Sequence, residues 1–191
     1  RLPDVVHQGL VAEFTPKPPW DEHALVERAS QADAPLVVML DGVQDPHNLG
    51  AILRSAAACG ALAVVTTKDR ASGLTPAARK ASAGASEWLP TAVVTNLSRT
   101  LQTLKKAGLW SIGLEMSAAE SMFSEAVDDW LAGPVVLVVG SEGQGLRKLT
   151  AQHCDRLVHI PMPGAMESLN VSVAAAVALF SVVRARARVN P

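Results

Sequence analysis

Three stretches carry side chains that could do chemistry: DGVQDPHNLG over 41–50 with Arg54 just beyond it, VGSEGQGL over 139–146, and IPMPGAMESLN over 160–170. The candidates among them are a guanidinium (Arg54), a carboxylate (Glu142), a hydroxyl (Ser168) and two amides (Asn48 and Asn170). A loop kept apolar and rigid by Pro161 and Pro163 leaves backbone groups free to hold a flat heterocycle. Arg54, Asn48, Glu142 and Ser168 could then orient a polar acceptor beside it. Each stretch also has a plainer explanation. Asn48 could simply cap a helix while Arg54 extends into solvent, and Glu142 could be a solvated acid on a glycine turn. Ser168 could be an N-cap and Asn170 a hydrogen-bonded amide, since an unpaired buried amide costs ~1–3 kcal/mol.

The glycines of the middle stretch suggest a phosphate cradle, and their spacing rejects it. A dinucleotide loop needs G-x-G-x-x-G, whereas the glycines at 140, 143 and 145 run G-x-x-G-x-G. A P-loop needs Lys after its second glycine, where this chain has Leu146. Glu142 in the middle would repel a phosphate. The expectation is a tight turn that presents amides and one acid to a ligand that need not be anionic.

Regular elements must hold these stretches in place. Apolar runs at 36–40, 61–66, 91–95, 110–114, 134–139 and 157–160 read as strands, and the periodic segments 49–59, 97–106 and 169–188 as helices. Continuous Val/Ile/Leu strands alternating with helices predict an α/β fold with a parallel sheet covered on both faces. The three chemical stretches then fall at the carboxyl ends of strands, where ligands of open α/β sheets bind. Residues 1–34, with Pro3, Pro16, Pro18 and Pro19, read as a linker or arm with a helix near 22–29.

Bulk composition narrows the function. The chain has 191 residues, 49% apolar and 18% charged, with a net charge of −1, which suits one globular domain plus a tail. So balanced a charge excludes a protein that grips polyanions by charge alone. It leaves room for RNA recognised through local cations such as Lys68, Arg70, Arg79, Lys80, Arg147 and Lys148. The longest apolar stretch, 171–183, falls short of the ~20 residues a bilayer span needs. The first residues do not read as a signal peptide, and a first residue of Arg reads as an excerpt from a longer protein. Cys59 and Cys154 have no partner at metal or redox spacing and read as small core residues of a cytoplasmic chain. Scattered histidines make a metal site an unfavoured reading. Arg184, Arg186 and Arg188 read as structural cations at a helix C-terminus.

Taken as patterns, D-G-V-x-D-P-H-N-L-G-x-x-x-R-S-A, V-x-G-S-E-G-x-G-L and I-P-M-x-G-x-x-x-S-L-N-V-S-V-A resemble the three motifs of the SpoU (TrmH-like, SPOUT) class of RNA ribose 2′-O-methyltransferases. The ordered trio runs from about Leu36 to the C-terminus. Lys68-Asp69-Arg70-Ala71 and the segment from Thr95 to Thr100 further resemble the branch that methylates a guanosine of 23S ribosomal RNA. His7-Gln8-Gly9 resembles the seam after that branch's N-terminal RNA-binding domain. The resemblance implies that 1–34 is the arm left from that missing domain and that 35–191 is the catalytic domain. It implies a homodimer, a C-terminal trefoil knot, and S-adenosylmethionine held by Gly140, Ile160, Leu169, Leu114 and Met162. It places catalysis on Asn48, Arg54, Glu142, Ser168 and Asn170. Pro163 departs from the Ala often found there. Transfer RNA is the alternative substrate within the class.

Two other functions compete. A dinucleotide-binding oxidoreductase would need G-x-G-x-x-G after the first strand, where only Gly50 lies near the helix start. A non-catalytic RNA-binding relative would be expected to lack Arg54 or the Ser168–Asn170 pair, and this chain has both.

Overall fold

Residues 17–68 and 74–189 are described in the computed structural model of the protein. Along the chain run α1 (Glu22–Gln31), β1 (Leu36–Asp41), α2 (Pro46–Ala58), β2 (Ala63–Thr67), α3 (Pro76–Ala81), α4 (Ala85–Trp88) and β3 (Thr91–Val94). There follow α5 (Leu97–Lys106), β4 (Trp110–Leu114), β5 (Glu120–Ser121), α6 (Glu125–Ala132), β6 (Val135–Gly140), α7 (Lys148–His153), β7 (Arg156–His159) and α8 (Val171–Val189). The strands form one sheet in the order β3-β2-β1-β6-β4-β7-β5, and every pairing between them is parallel. The expected α/β class with a parallel sheet is therefore observed. The seam His7-Gln8-Gly9 and the residues Asp69, Arg70 and Ala71 lie outside the described residues.

The central strands explain the two-sided cover. In β1, LVVMLD, and β6, VVLVVG, all residues are buried. Side chains alternate between the faces of a strand. Leu36, Val38, Leu40, Leu137 and Val139 pack with α2, α6 and α8, while Val37, Met39, Val136 and Val138 pack with α1 and α5. The register sets Asp41 of β1 beside Gly140 of β6, so these two strands end flush.

Part of the proline-rich arm is docked on the sheet rather than loose. The Trp20 N–H donates to the Thr91 carbonyl at 2.8 Å, and the Val93 N–H donates to the Trp20 carbonyl at 2.9 Å. Leu25 and Ala29 of α1 are buried, and the Thr100 hydroxyl donates to Glu22.

Two helix starts differ from expectation. Asp45, not Asn48, caps α2: its Oδ1 accepts from the His47 N–H at 3.0 Å, and Pro46 takes the first helical position. Pro suits that position because its missing N–H would have no partner there. At α8 the helix begins at Val171 rather than 169. Asn170, not Ser168, serves as the cap, its Oδ1 accepting from the Ser172 N–H at 2.9 Å.

Structural roles fall to several charged or sulfur groups. Arg184 and Arg188 pair with Asp128 of α6, and Arg186 donates to the carbonyls of Ala34 and Gly133. Burial pushes the Cys154 thiol up to about 12, and it raises that of Cys59 as well, as for inert core thiols. Among the described residues, no helix is long and apolar enough to cross a membrane.

Candidate functional site

The middle motif is a turn built by its glycines. Ser141 and Gly145 exchange backbone hydrogen bonds of 3.1 and 3.0 Å across it. Gly143 and Gly145 sit at φ +80° and +65°, a region L side chains resist. A Cβ on Gly140 would lie 2.1 Å from the Gly145 carbonyl carbon, so the strand end must be bare for the turn to fold over it. The glycines serve backbone geometry, as their order implied.

Asp41 clips this turn to the end of β1. Its side chain is wholly buried; Oδ2 accepts from the Arg147 N–H at 2.9 Å, and Oδ1 lies 3.3 Å from Arg147 Nε. A buried carboxylate needs such partners, because an uncompensated buried charge costs several kcal/mol. No local spacing encodes this pair, and the sequence reading did not contain it.

The third motif is tied to the first through two amides. Asn170 Nδ2 donates to Asn48 Oδ1 at 3.1 Å, while Asn170 Oδ1 also accepts from the Ser172 hydroxyl at 2.6 Å. Asn48 is buried on the first turn of α2. The link fixes the start of α8 against the start of α2.

Two cavities open beside the glycine turn. The first is a narrow cleft of about 100 Å³ with a mainly apolar lining that includes Leu114, Val139, Ile160, Met162, Leu169 and Val171. Its polar groups include Ser141, Ser168, His159 and three carboxyl side chains, Glu115, Glu142 and Glu167, and Gly140 lines it as well. The second, about 580 Å³, is more polar and is lined by Asn48, Asp45, Gln44, Gln144 and Arg147 among others. Ser141, Glu142, Gly145 and Val171 line both.

The predicted residues therefore distribute in a definite way. Gly140, Ile160, Leu169, Leu114 and Met162 all line the narrow cleft, together with Ser168. Glu142 stands between the two cavities, and Asn48 lines the polar one. Asn170 lines neither and acts through Asn48 and Ser172. Arg54 is exposed, lines neither cavity, and has no hydrogen bond or ion pair with another described residue. The three motifs thus converge on two adjoining cavities rather than one, with Arg54 outside both linings.

A narrow apolar slot suits a flat heterocycle, and three carboxyl groups in its lining favour a cation or hydroxyls over an anion. Glu115 and Glu167 also line the cleft but were not singled out in the sequence, although Glu115 follows Leu114 and Glu167 precedes Ser168 within the third stretch. Among the expected RNA-facing cations, Lys68, Lys80 and Lys148 are exposed. Arg79 is paired with Glu87, and Arg147 with Asp41.

Comparison with known proteins fits this architecture. The model of the SpoU rRNA Methylase family matches residues 35–180. The 23S rRNA (guanosine-2′-O-)-methyltransferase RlmB of Pseudomonas putida is 49% identical over 182 residues, which are 95% of this chain and 72% of that protein. The solved SpoU methyltransferase AviRb from Streptomyces viridochromogenes superposes with a TM-score of 0.77 at 28% identity, over 89% of this chain and 65% of the solved one. Its complex with the cofactor AdoMet gives 0.74 at 27% identity, over 86% and 65%. With the family model covering most of its length and a relative sharing about half of its residues, the chain belongs to the SpoU rRNA methylase family.

Proposed function

We propose that the chain transfers a methyl group from S-adenosylmethionine to the ribose 2′-hydroxyl of a guanosine in 23S ribosomal RNA. The observation that carries this is the convergence of Gly140, Ile160, Leu169, Leu114 and Met162 on one narrow cleft beside Glu142. The Pseudomonas putida relative bears that activity in its name, and a solved neighbour holds AdoMet. Identity of 49% to a ribosomal RNA enzyme favours ribosomal over transfer RNA.

The lining fits the cofactor. Apolar walls suit an adenine ring, and carboxyl groups at Glu115, Glu142 and Glu167 suit ribose hydroxyls and a sulfonium charge. The bound cofactor supplies a methyl group on a positively charged sulfur. The protein's task is then largely alignment of the incoming hydroxyl. Glu142, shared by the two cavities, orients the acceptor where donor and acceptor meet. Asn48 and Asn170 keep α2 and α8 in register around it, and Ser168 orders the adjoining loop. Arg54 is exposed, with no partner among the described residues, and so is available to a phosphate of the RNA and to the developing alkoxide. It does not serve as a general base, because a guanidinium does not deprotonate in proteins.

Three further features belong to the same reading. Residues 35–191 form the catalytic domain and 1–34 its arm. The C-terminal segment forms a trefoil knot, supported by the placement of β7 between β4 and β5 and by the return of α8 onto α2 and α6. The enzyme is a homodimer, supported by the apolar side chains exposed on α8, and it works in the cytoplasm, in keeping with a ribosomal RNA substrate.

The test is transfer of labelled methyl from S-adenosylmethionine to 23S ribosomal RNA, with the modified nucleotide mapped. Arg54→Ala should lower the rate roughly 10²–10³-fold, the scale of a lost transition-state donor. Cofactor affinity should be unchanged. Near-normal transfer by that variant removes Arg54 from catalysis. A wild-type chain that binds cofactor and methylates no RNA overturns the activity.

A further inference from the structure

The wider, more polar cavity is where the acceptor would have to enter. Its volume of about 580 Å³ lies within the range of small-molecule sites. Resting on the activity proposed above, we propose that this cavity receives the guanine base of the acceptor nucleotide, and that Gln44 and Gln144 are the residues that select it.

Position comes first. The cavity shares Ser141 and Glu142 with the narrow cleft, so a base lodged in it leaves its ribose at the common wall, next to the methyl donor. Enzymes that act on one nucleotide extrude it from the stack and read its Watson–Crick edge in a pocket.

Chemistry then selects the base. Asp45 and Glu142 put carboxyl groups in the lining, which disfavours a phosphate as occupant. Guanine presents two donors, N1–H and the N2 amino group, beside one acceptor, O6. Carboxylate and amide oxygens accept from the donors. The amide nitrogens of Gln44 and Gln144 and the guanidinium of Arg147 donate to O6. Adenine reverses the pattern, setting its N1 lone pair against acceptor oxygens. The cavity is also built rather than incidental. Arg147 is held by the fully buried Asp41 through both its backbone N–H and Nε, which leaves its remaining donors for a ligand. Gln44 and Gln144 lie on the two facing loops, after β1 and after β6, and both are exposed.

The experiment uses the full chain and its mapped target in 23S ribosomal RNA transcripts. The target guanosine is replaced by inosine, which lacks the N2 amino group, or by adenosine. Wild type should prefer guanosine over inosine by about tenfold, the worth of one hydrogen bond, and adenosine should be poorer still. In Gln44→Leu/Gln144→Leu, kcat/KM for guanosine should fall about tenfold or more, and the guanosine-over-adenosine preference should collapse. Affinity for S-adenosylmethionine, measured by calorimetry, should stay within about twofold, which shows that the variant is folded. Wild-type-like preference in the double variant overturns this inference alone. Failure of the wild-type chain to methylate any RNA overturns it together with the activity.

Discussion

Two glycines in the same turn face different constraints, and the contrast is measurable. A Cβ at Gly140 would sit 2.1 Å from backbone that cannot move without opening the turn, whereas at Gly143 nothing lies within 4 Å. Gly140→Ala should therefore destabilise the fold by about 1–3 kcal/mol, the cost of overpacking, and should also weaken cofactor binding, since Gly140 lines the cleft. Gly143 lines the cleft as well, but a Cβ there meets nothing within 4 Å, so Gly143→Ala carries only the left-handed backbone penalty of roughly 1–2 kcal/mol and should keep cofactor affinity. Urea unfolding and calorimetry separate the two outcomes. Equal loss of cofactor affinity in both would mean that turn flexibility, not close approach at Gly140, governs the site.

At the scale of elements, how much could be read from sequence depended on the range of the interactions involved. Six strands were legible because each carries Val, Leu or Ile in a short run bounded by turn or helix signals, most clearly in β1 and β6, whose continuous apolar runs have the pattern of a buried parallel strand. β5, with two residues, and the short α3 and α4, rich in alanine and serine, have too few turns or repeats to show a period. The cap of α2 was misassigned among neighbouring Asx residues, although Asp45 followed by Pro46 carries the proline-first signature. Cleft-lining residues were recoverable from the motif resemblance, while Asp41–Arg147, 106 positions apart, belongs to tertiary structure alone. The same holds for the clip between β4 and β7. Asp155 Oδ2 accepts from the Ser111 N–H at 2.9 Å and its hydroxyl at 2.7 Å, and Lys105 Nζ lies 2.7 Å from Oδ1. Burial alone would raise the Asp155 pKa; the hydrogen bonds from Lys105 and Ser111 outweigh it and hold the carboxyl below its ordinary range. The unfolded chain then takes up the proton first as pH falls. The stability from Asp155 is complete above the unfolded pKa of ~3.9 and drains away as pH drops through the lower folded value. The gap in unfolding free energy between wild type and Asp155→Asn should be widest at pH 6–7 and shrink towards pH 3. A gap that stays constant would mean that the charge of Asp155 plays no part in the clip.

For the whole molecule, α8 poses the decisive question. One side of it is core: Ala175, Ala178, Leu179, Val182 and Ala185 are buried against the sheet and its neighbouring helices. Yet Val173, Phe180 and Val183 remain 47%, 55% and 38% exposed. A helix that presents apolar side chains to both sides has a second surface to cover, and exposed apolar patches mark interaction sites. The homodimer of the proposed function supplies that cover. The wild-type chain should sediment at twice its 20.0 kDa mass. Placing a charge at the centre of the patch by Phe180→Asp forfeits about 1.5–3 kcal/mol of apolar burial, a weakening of association of roughly tenfold to a hundredfold. Sedimentation velocity across a concentration series should show the variant dissociating where wild type stays paired. Its melting temperature at low concentration should differ little, since Phe180 is exposed in the single chain. A wild-type chain that sediments as a monomer at all concentrations would leave this face of α8 for a partner of another kind and remove the homodimer from the proposal.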